Sequence, residues 1–178
     1  MVLWIIGLSG AGKTTTSRLV YDKLKPRLPN LVLIDGDVMR QMFPDIDHTI
    51  EGRRKNAERL SRLSQLLASQ NIHVIAAVLS IFPEWQKWNR ENMPGYTQVY
   101  LRADLDRLAQ RDTKGIYRRA VAGELKNVVG VDLTFPEPFG TDLICDTSAD
   151  KDNFDDVVAD ILELPEVQNT AALSSTDR

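Results

Sequence analysis

Cysteine is all but absent: Cys145 is the one cysteine in 178 residues, which excludes an internal disulfide and any cysteine-based metal-site spacing. Neither sign of charge dominates, with 22 Lys and Arg against 25 Asp and Glu and a formal net charge of -3. That balance argues against a dedicated nucleic-acid or membrane-surface protein, and it requires any anionic partner to be met by a local basic cluster. Long apolar runs are missing too, none approaching the length that spans a bilayer, and the first residues carry neither a charged n-region nor a cleavage site. These absences lead to the expectation of a soluble protein of a reducing cytoplasm, with no nucleic-acid and no membrane partner. The two histidines, His48 and His73, have no partner pattern that marks a ligand or a catalytic base. What is present suffices for one core: 43% hydrophobic and 26% charged residues exclude disorder, collagen and coiled coil as the main state.

Val2 to Ile6 is a continuous apolar run closed by Gly7, the pattern of a strand buried on both faces of a parallel sheet. Similar short runs at 31–34, 74–79, 97–101 and 142–145 alternate with helix-length segments, read at about 13–25, 50–69, 85–91, 104–110 and 154–162. The alternation is a βαβ signature and predicts an α/β fold, a parallel sheet flanked by helices. No repeat or linker interrupts it, so residues 1–164 are expected to form a single domain. Residues 165–178 are short of large apolar side chains and rich in Ser, Thr, Asp and Asn, which predicts a frayed, flexible tail.

Gly7-Leu8-Ser9-Gly10-Ala11-Gly12-Lys13-Thr14 fits the phosphate-binding loop (P-loop) pattern, with a strand before it and a helix after it. The chemistry dictates these residue types. Small residues at Gly7, Ser9, Gly10, Ala11 and Gly12 let backbone N–H groups curl around phosphate oxygens of ATP, and the following helix adds its positive end. Lys13 reaches the β and γ phosphates, and the Thr14 hydroxyl ligates Mg²⁺. Asp35-Gly36-Asp37 follows the second apolar run, so both carboxylates lie at a strand's carboxyl end, where open α/β sheets place their ligands. Asp37 is read as the group that accepts or orients an acceptor hydroxyl proton and Asp35 as support for the metal; a turn with a helix-capping aspartate is the plainer alternative. Arg40 lies near the same edge and can bind an acceptor phosphate.

Arg53, Asn56, Leu60, Leu63 and Leu67 form one helical stripe whose later members are core leucines. Arg53 and Asn56 therefore continue an inward face, where unpaired polar groups are costly unless a ligand or a neighbouring protein group satisfies them. Arg59 sits at the stripe's edge. From 102 to 126 seven basic residues (Arg102, Arg107, Arg111, Lys114, Arg118, Arg119, Lys126) face four acidic ones (Asp104, Asp106, Asp112, Glu124). Punctuated by Gly115, Gly123 and Gly130, this stretch reads as part of a lid over about 111–139 that brings cations over transferring phosphates. Trp85 and Trp88, at i, i+3 spacing, offer a stacking surface for a base or, more simply, packing.

Together these residues resemble the adenylylsulfate kinases, small P-loop kinases of NTPase-type α/β fold, over roughly residues 2–147. The resemblance rests on residues 7–15, on Asp35-Gly36-Asp37 with Arg40, and on Arg53 with Asn56 and Arg59. It continues through Arg111-Asp112, Lys114-Gly115-Ile116-Tyr117, Ala122-Gly123-Glu124-Leu125-Lys126 and Gly130-Val131-Asp132 to Asp146-Thr147. It implies transfer of the ATP γ-phosphoryl to the ribose 3′-hydroxyl of adenylylsulfate with Mg²⁺. Residues 7–15 including Thr15, together with Arg111 and Thr147, would hold ATP. Arg40, Arg53, Asn56 and Lys126 would hold the acceptor nucleotide, Asp37 would act at its hydroxyl, and Thr14 with Asp35 would hold the metal. It also implies a homodimer. The departures fall on the acceptor side: Val128 and Val129 stand where the family has an aromatic that stacks on the acceptor adenine, Val38 replaces an asparagine, and Ser80 to Trp85 replaces Ile-Ser-Pro-Tyr-Arg. They suit the similar cytidine diphosphoramidate kinases of surface-polysaccharide synthesis as the alternative, with Phe82, Phe135 or Trp85 as substitute platforms. A regulatory module that binds ATP without turning it over is the remaining alternative.

Overall fold

The structure is a computed structural model, and it describes residues 1–43, 47–112, 114–148 and 154–176. The five apolar runs become five parallel strands: β1 (Val2–Ile6), β2 (Leu31–Asp35), β3 (His73–Val78), β4 (Tyr96–Arg102) and β5 (Leu143–Asp146). Their spatial order is β2-β3-β1-β4-β5, with Ile5 of β1 in register with Ala77 of β3 on one side and Val99 of β4 on the other. Side chains alternate across a strand, so Leu3 and Ile5 join one core with Val20, Leu24, Val158 and Ile161. Trp4 and Ile6 join the opposite core with Leu60, Met93 and Tyr96. Burial on both faces is why β1 contains no polar residue.

The helices are α1 (Lys13–Leu24), α2 (Gly36–Met42), α3 (Ile50–Ser69), α4 (Pro83–Asn92), α5 (Leu105–Gln110), α6 (Ile116–Val121), α7 (Asp155–Leu162) and α8 (Pro165–Thr176). Thr49 caps α3 by accepting the Gly52 N–H at 3.1 Å, and Pro83 opens α4, where its missing N–H costs nothing. The inward face of α3 carries buried Asn56 and Leu60 as expected, and adds Gly52, Ser61 and Ser64.

The expected frayed tail is overturned. Residues 165–176 form α8, which buries Val167 to 1% exposure and Ala171 to 6% against the first core. Two small apolar residues at i and i+4 make a sufficient stripe, and a search for large apolar side chains misses it.

Candidate active site

The loop of residues 7–14 leaves the carboxyl end of β1 and runs into α1. Gly12 has φ 92° and is the residue before the helix; a Cβ there would collide with the Phe154 ring. Among the described residues no side chain caps α1, and its first turn holds no acidic residue, an arrangement that suits an anion at its positive end. Lys13 Nζ donates to the Leu8 carbonyl at 2.7 Å. Burial pulls this ammonium down to about 8; Asp37 and then Asp35 oppose the shift, and Lys114 adds to it. The Thr14 hydroxyl donates to Asp35 Oδ2 at 2.9 Å, and Asp35 Oδ1 accepts the Asp37 N–H at 2.8 Å. Asp35 therefore caps α2 and reaches the loop with one carboxylate, so the capping reading is realised. Thr15 is exposed on the first turn of α1.

On the other side of Lys13, Asp37 is 68% exposed and pairs with Lys114 at 3.4 Å, a contact that solvent leaves weak. Arg40 Nη1 donates to the Asp47 carbonyl at 2.9 Å. Arg53 donates through Nε to the His48 carbonyl at 3.0 Å and through Nη2 to the Asn127 carbonyl at 2.7 Å. Burial and then Arg40 hold Arg53 below its ordinary range, with Asp132 and Asp37 opposing, so Asp37, Arg40 and Arg53 share one field. Asn56 is 6% exposed with its Oδ1 unpartnered among the described residues, and Arg40 Nε is likewise buried without a partner among them. Each such atom costs about 1–3 kcal/mol unless a ligand satisfies it. Lys126 is exposed beside Asn127.

The segment expected as a lid is seated on the loop. Asp112 starts α6 by accepting the N–H groups of Ile116 at 2.8 Å and Arg118 at 3.0 Å. Tyr117, 2% exposed, donates its hydroxyl to the Ser9 carbonyl at 2.7 Å. Arg111 donates to the carbonyls of Thr147 at 2.9 Å and Ser148 at 2.5 Å, and the Thr147 hydroxyl reaches the Ala11 carbonyl at 3.2 Å. Arg111 and Thr147 thus meet beside the loop.

Asp132 accepts the N–H groups of Asn127 at 2.6 Å and Val128 at 2.5 Å. Val128 and Val129 point into the first core at 6% and 4% exposure. The substitute platforms are engaged elsewhere: the Arg54 guanidinium covers Phe82 at 4.6 Å, and Phe135 stacks on Tyr100 at 5.7 Å. Trp85 and Trp88 pack edge-on at 5.4 Å beneath Arg62. Tyr117, Asn127 and Asp132 escaped a reading for catalytic residue types because they act through backbone carbonyls and N–H groups; the glycines around them are the signal that could have found them.

Fold and loop together define a P-loop kinase. The family model for adenylylsulphate kinase matches residues 1–146. The chain belongs to the adenylylsulphate kinase family, and so to the ATP-dependent phosphotransferases that act on a hydroxyl. It is 35% identical over 162 residues to a cytidine diphosphoramidate kinase of Campylobacter jejuni, covering 91% of this chain and 94% of that one. It is 33% identical over 147 residues to a probable adenylyl-sulfate kinase of Archaeoglobus fulgidus, covering 82% and 95%. Among solved structures it is similar to the APS kinase of Mycobacterium tuberculosis in complex with AMPPNP and APS, with TM-score 0.80 and 28% identity over 93% of this chain and 96% of that one.

Proposed function

We propose that the chain transfers the γ-phosphoryl of ATP to the ribose 3′-hydroxyl of a small nucleotide carrying an anionic 5′ group, with adenylylsulfate and cytidine diphosphoramidate as the two acceptors to test. The observation that carries this reading is that Asp37 acts both on Lys13 and on Arg53, which Arg40 adjoins, because a module that only bound ATP needs no second anion site.

The loop N–H groups and the end of α1 hold the donor phosphates. Lys13 exchanges the Leu8 carbonyl for phosphate oxygens, which restores the charge that burial suppresses. The Thr14 hydroxyl and Asp35 carboxylate are hard oxygen donors 2.9 Å apart, a set that fits Mg²⁺. No cluster of three or more His, Cys, Asp or Glu lies among the described residues, so Thr14 and Asp35 would hold the metal together with the nucleotide rather than within a protein cage. When bound, the metal neutralises charge on the transferring phosphoryl. Asp37 takes the proton as the ribose oxygen bonds to phosphorus and the bond to the ADP oxygen breaks. Arg40 and Arg53 fix the acceptor's 5′ group, which places that hydroxyl in line.

The burial of Val128 and Val129 favours cytidine diphosphoramidate over adenylylsulfate, because a smaller pyrimidine depends less on a stacking platform. Likeness to the Campylobacter jejuni protein supports the same choice. The test is ADP release with magnesium ATP and each acceptor at matched concentrations, compared as kcat/KM. A ratio favouring the cytidine compound is expected, and a strong preference for adenylylsulfate reverses the choice. We further infer a cytoplasmic setting; no helix among the described residues is long and apolar enough to cross a membrane.

A further inference from the structure

His48 carries no motif, yet the fold ties it to both acceptor-side arginines. The segment Asp47–Thr49 joins the region after α2 to the start of α3. Arg40 of α2 holds it by the Asp47 carbonyl at 2.9 Å, and Arg53 of α3 holds it by the His48 carbonyl at 3.0 Å. Asp47 Oδ1 accepts the Thr49 N–H at 2.9 Å and the Thr49 hydroxyl at 2.5 Å. Only a glycine at 52 lets α3 approach this close, since a Cβ there would overlap Asp47. The backbone around His48 is thus held by Arg40, Arg53 and Thr49, while the residue keeps contact with solvent and its ring is only partly buried. The charged groups that act on the imidazole are Arg40 and Asp37 from α2, Arg53 from α3, and Asp47 from its own segment. Two of these four are the residues assigned to the acceptor's anionic group, and a third is the group assigned to its hydroxyl.

We propose that His48 is a further acceptor-binding residue, meeting the anionic 5′ group as an imidazolium beside Arg40 and Arg53, so that acceptor binding takes up a proton. The inference rests on the acceptor reading above and deepens it. In the free protein, burial first and then Arg40 and Arg53 hold the ring below its ordinary value, while Asp37 and Asp47 oppose them, so the ring is neutral at neutral pH. An entering dianion offsets the two guanidinium charges and leaves the two carboxylates and its own charge to favour the protonated ring. Between the free and the bound value, affinity falls as pH rises, by at most tenfold per pH unit. Above both values it is flat.

The experiment is the acceptor KM from pH 6 to pH 8 with magnesium ATP, using adenylylsulfate and cytidine diphosphoramidate, for the wild type, His48→Gln and His48→Lys. The wild-type acceptor KM should rise roughly three- to tenfold from pH 6 to pH 8. His48→Gln should be flat at the weak, high-pH value, with the effect on KM rather than kcat, and His48→Lys should restore tight binding without the pH dependence. A titration belonging to the acceptor or to Lys13 would persist unchanged in His48→Gln. A wild-type slope that survives in His48→Gln, or a flat wild type, overturns the role of His48 while leaving the kinase reading intact. Turnover of neither acceptor by the wild type overturns the acceptor reading, and this inference with it.

Discussion

At the scale of single residues, Lys13 and Asp37 divide the work, and the division is measurable. A buried ammonium held down at about 8 must be charged to bind phosphate, and bound phosphate raises its value again. ATP affinity should therefore be steady well below pH 8 and weaken above it, by up to about tenfold per pH unit, with up to one proton taken up on binding there. Calorimetry at pH 7 and pH 9 reads this directly. Lys13→Ala should cost about 1.5–3 kcal/mol of ATP binding at pH 7 and abolish the pH dependence; a variant that keeps the wild-type slope assigns the titration to another group. Asp37 is solvent-exposed and caps nothing, so Asp37→Ala should leave stability, and ATP affinity below about pH 7, nearly unchanged while lowering kcat roughly 10²- to 10⁴-fold; above that pH the loss of its support for the Lys13 charge weakens ATP binding earlier than in the wild type. Near-normal kcat would remove Asp37 from the chemistry.

At the scale of elements, the question is which segments pack. Val167 on α8 is as buried as the central strands, so Val167→Ala should cost about 2 kcal/mol, seen as a lower urea midpoint; a tail that frays would show no shift. Tyr117→Phe removes the bond from α6 to the Ser9 carbonyl and should raise the ATP KM about fivefold, the equivalent of about 1 kcal/mol. An unmoved KM would mean that the loop holds its shape without α6. The strands and the helices α1, α3, α4, α5 and α7 were legible because a continuous apolar run, a 3.6-residue stripe and the spacing between successive runs of a βαβ pattern are strong signals. The short helices α2 and α6 were not: seven and six residues cannot show periodicity, and each depends on a capping aspartate, Asp35 or Asp112, that reads equally well as a turn. The site followed the same division. The loop, Asp35, Asp37, Arg40 and Arg53 announce themselves by charge and spacing, whereas the partners of Arg53, the carbonyls of His48 and Asn127, carry no sequence signature at all.

At the scale of the whole molecule, the proposed reaction requires a chain of net charge -3 to draw two anionic substrates to one edge of its sheet, the one where β1 ends in the loop, β2 in Asp35 and β5 in Asp146. Attraction must come from the arrangement of charge rather than its sum. Lys13 and Arg111 at the loop, Arg40 and Arg53 near Asp37, and Lys114 paired with Asp37 supply local cations at this edge, whose field is tempered there by Asp35, Asp37 and Asp132. Such a field is screened over about 10 Å at 0.1 M salt, so its two ends respond differently. The Lys13 ammonium, more deeply buried than the Arg53 guanidinium, acts on phosphate at contact distance and is little screened, whereas half-buried Arg40 and Arg53 and exposed Lys114 are reached more through solvent. Raising sodium chloride from 0.05 to 0.3 M should therefore raise the acceptor KM several-fold and the ATP KM less, with kcat nearly constant. Equal effects on both substrates would mean that the acceptor is held by shape and neutral hydrogen bonds instead, and that Arg40 and Arg53 serve the fold by their carbonyl contacts alone.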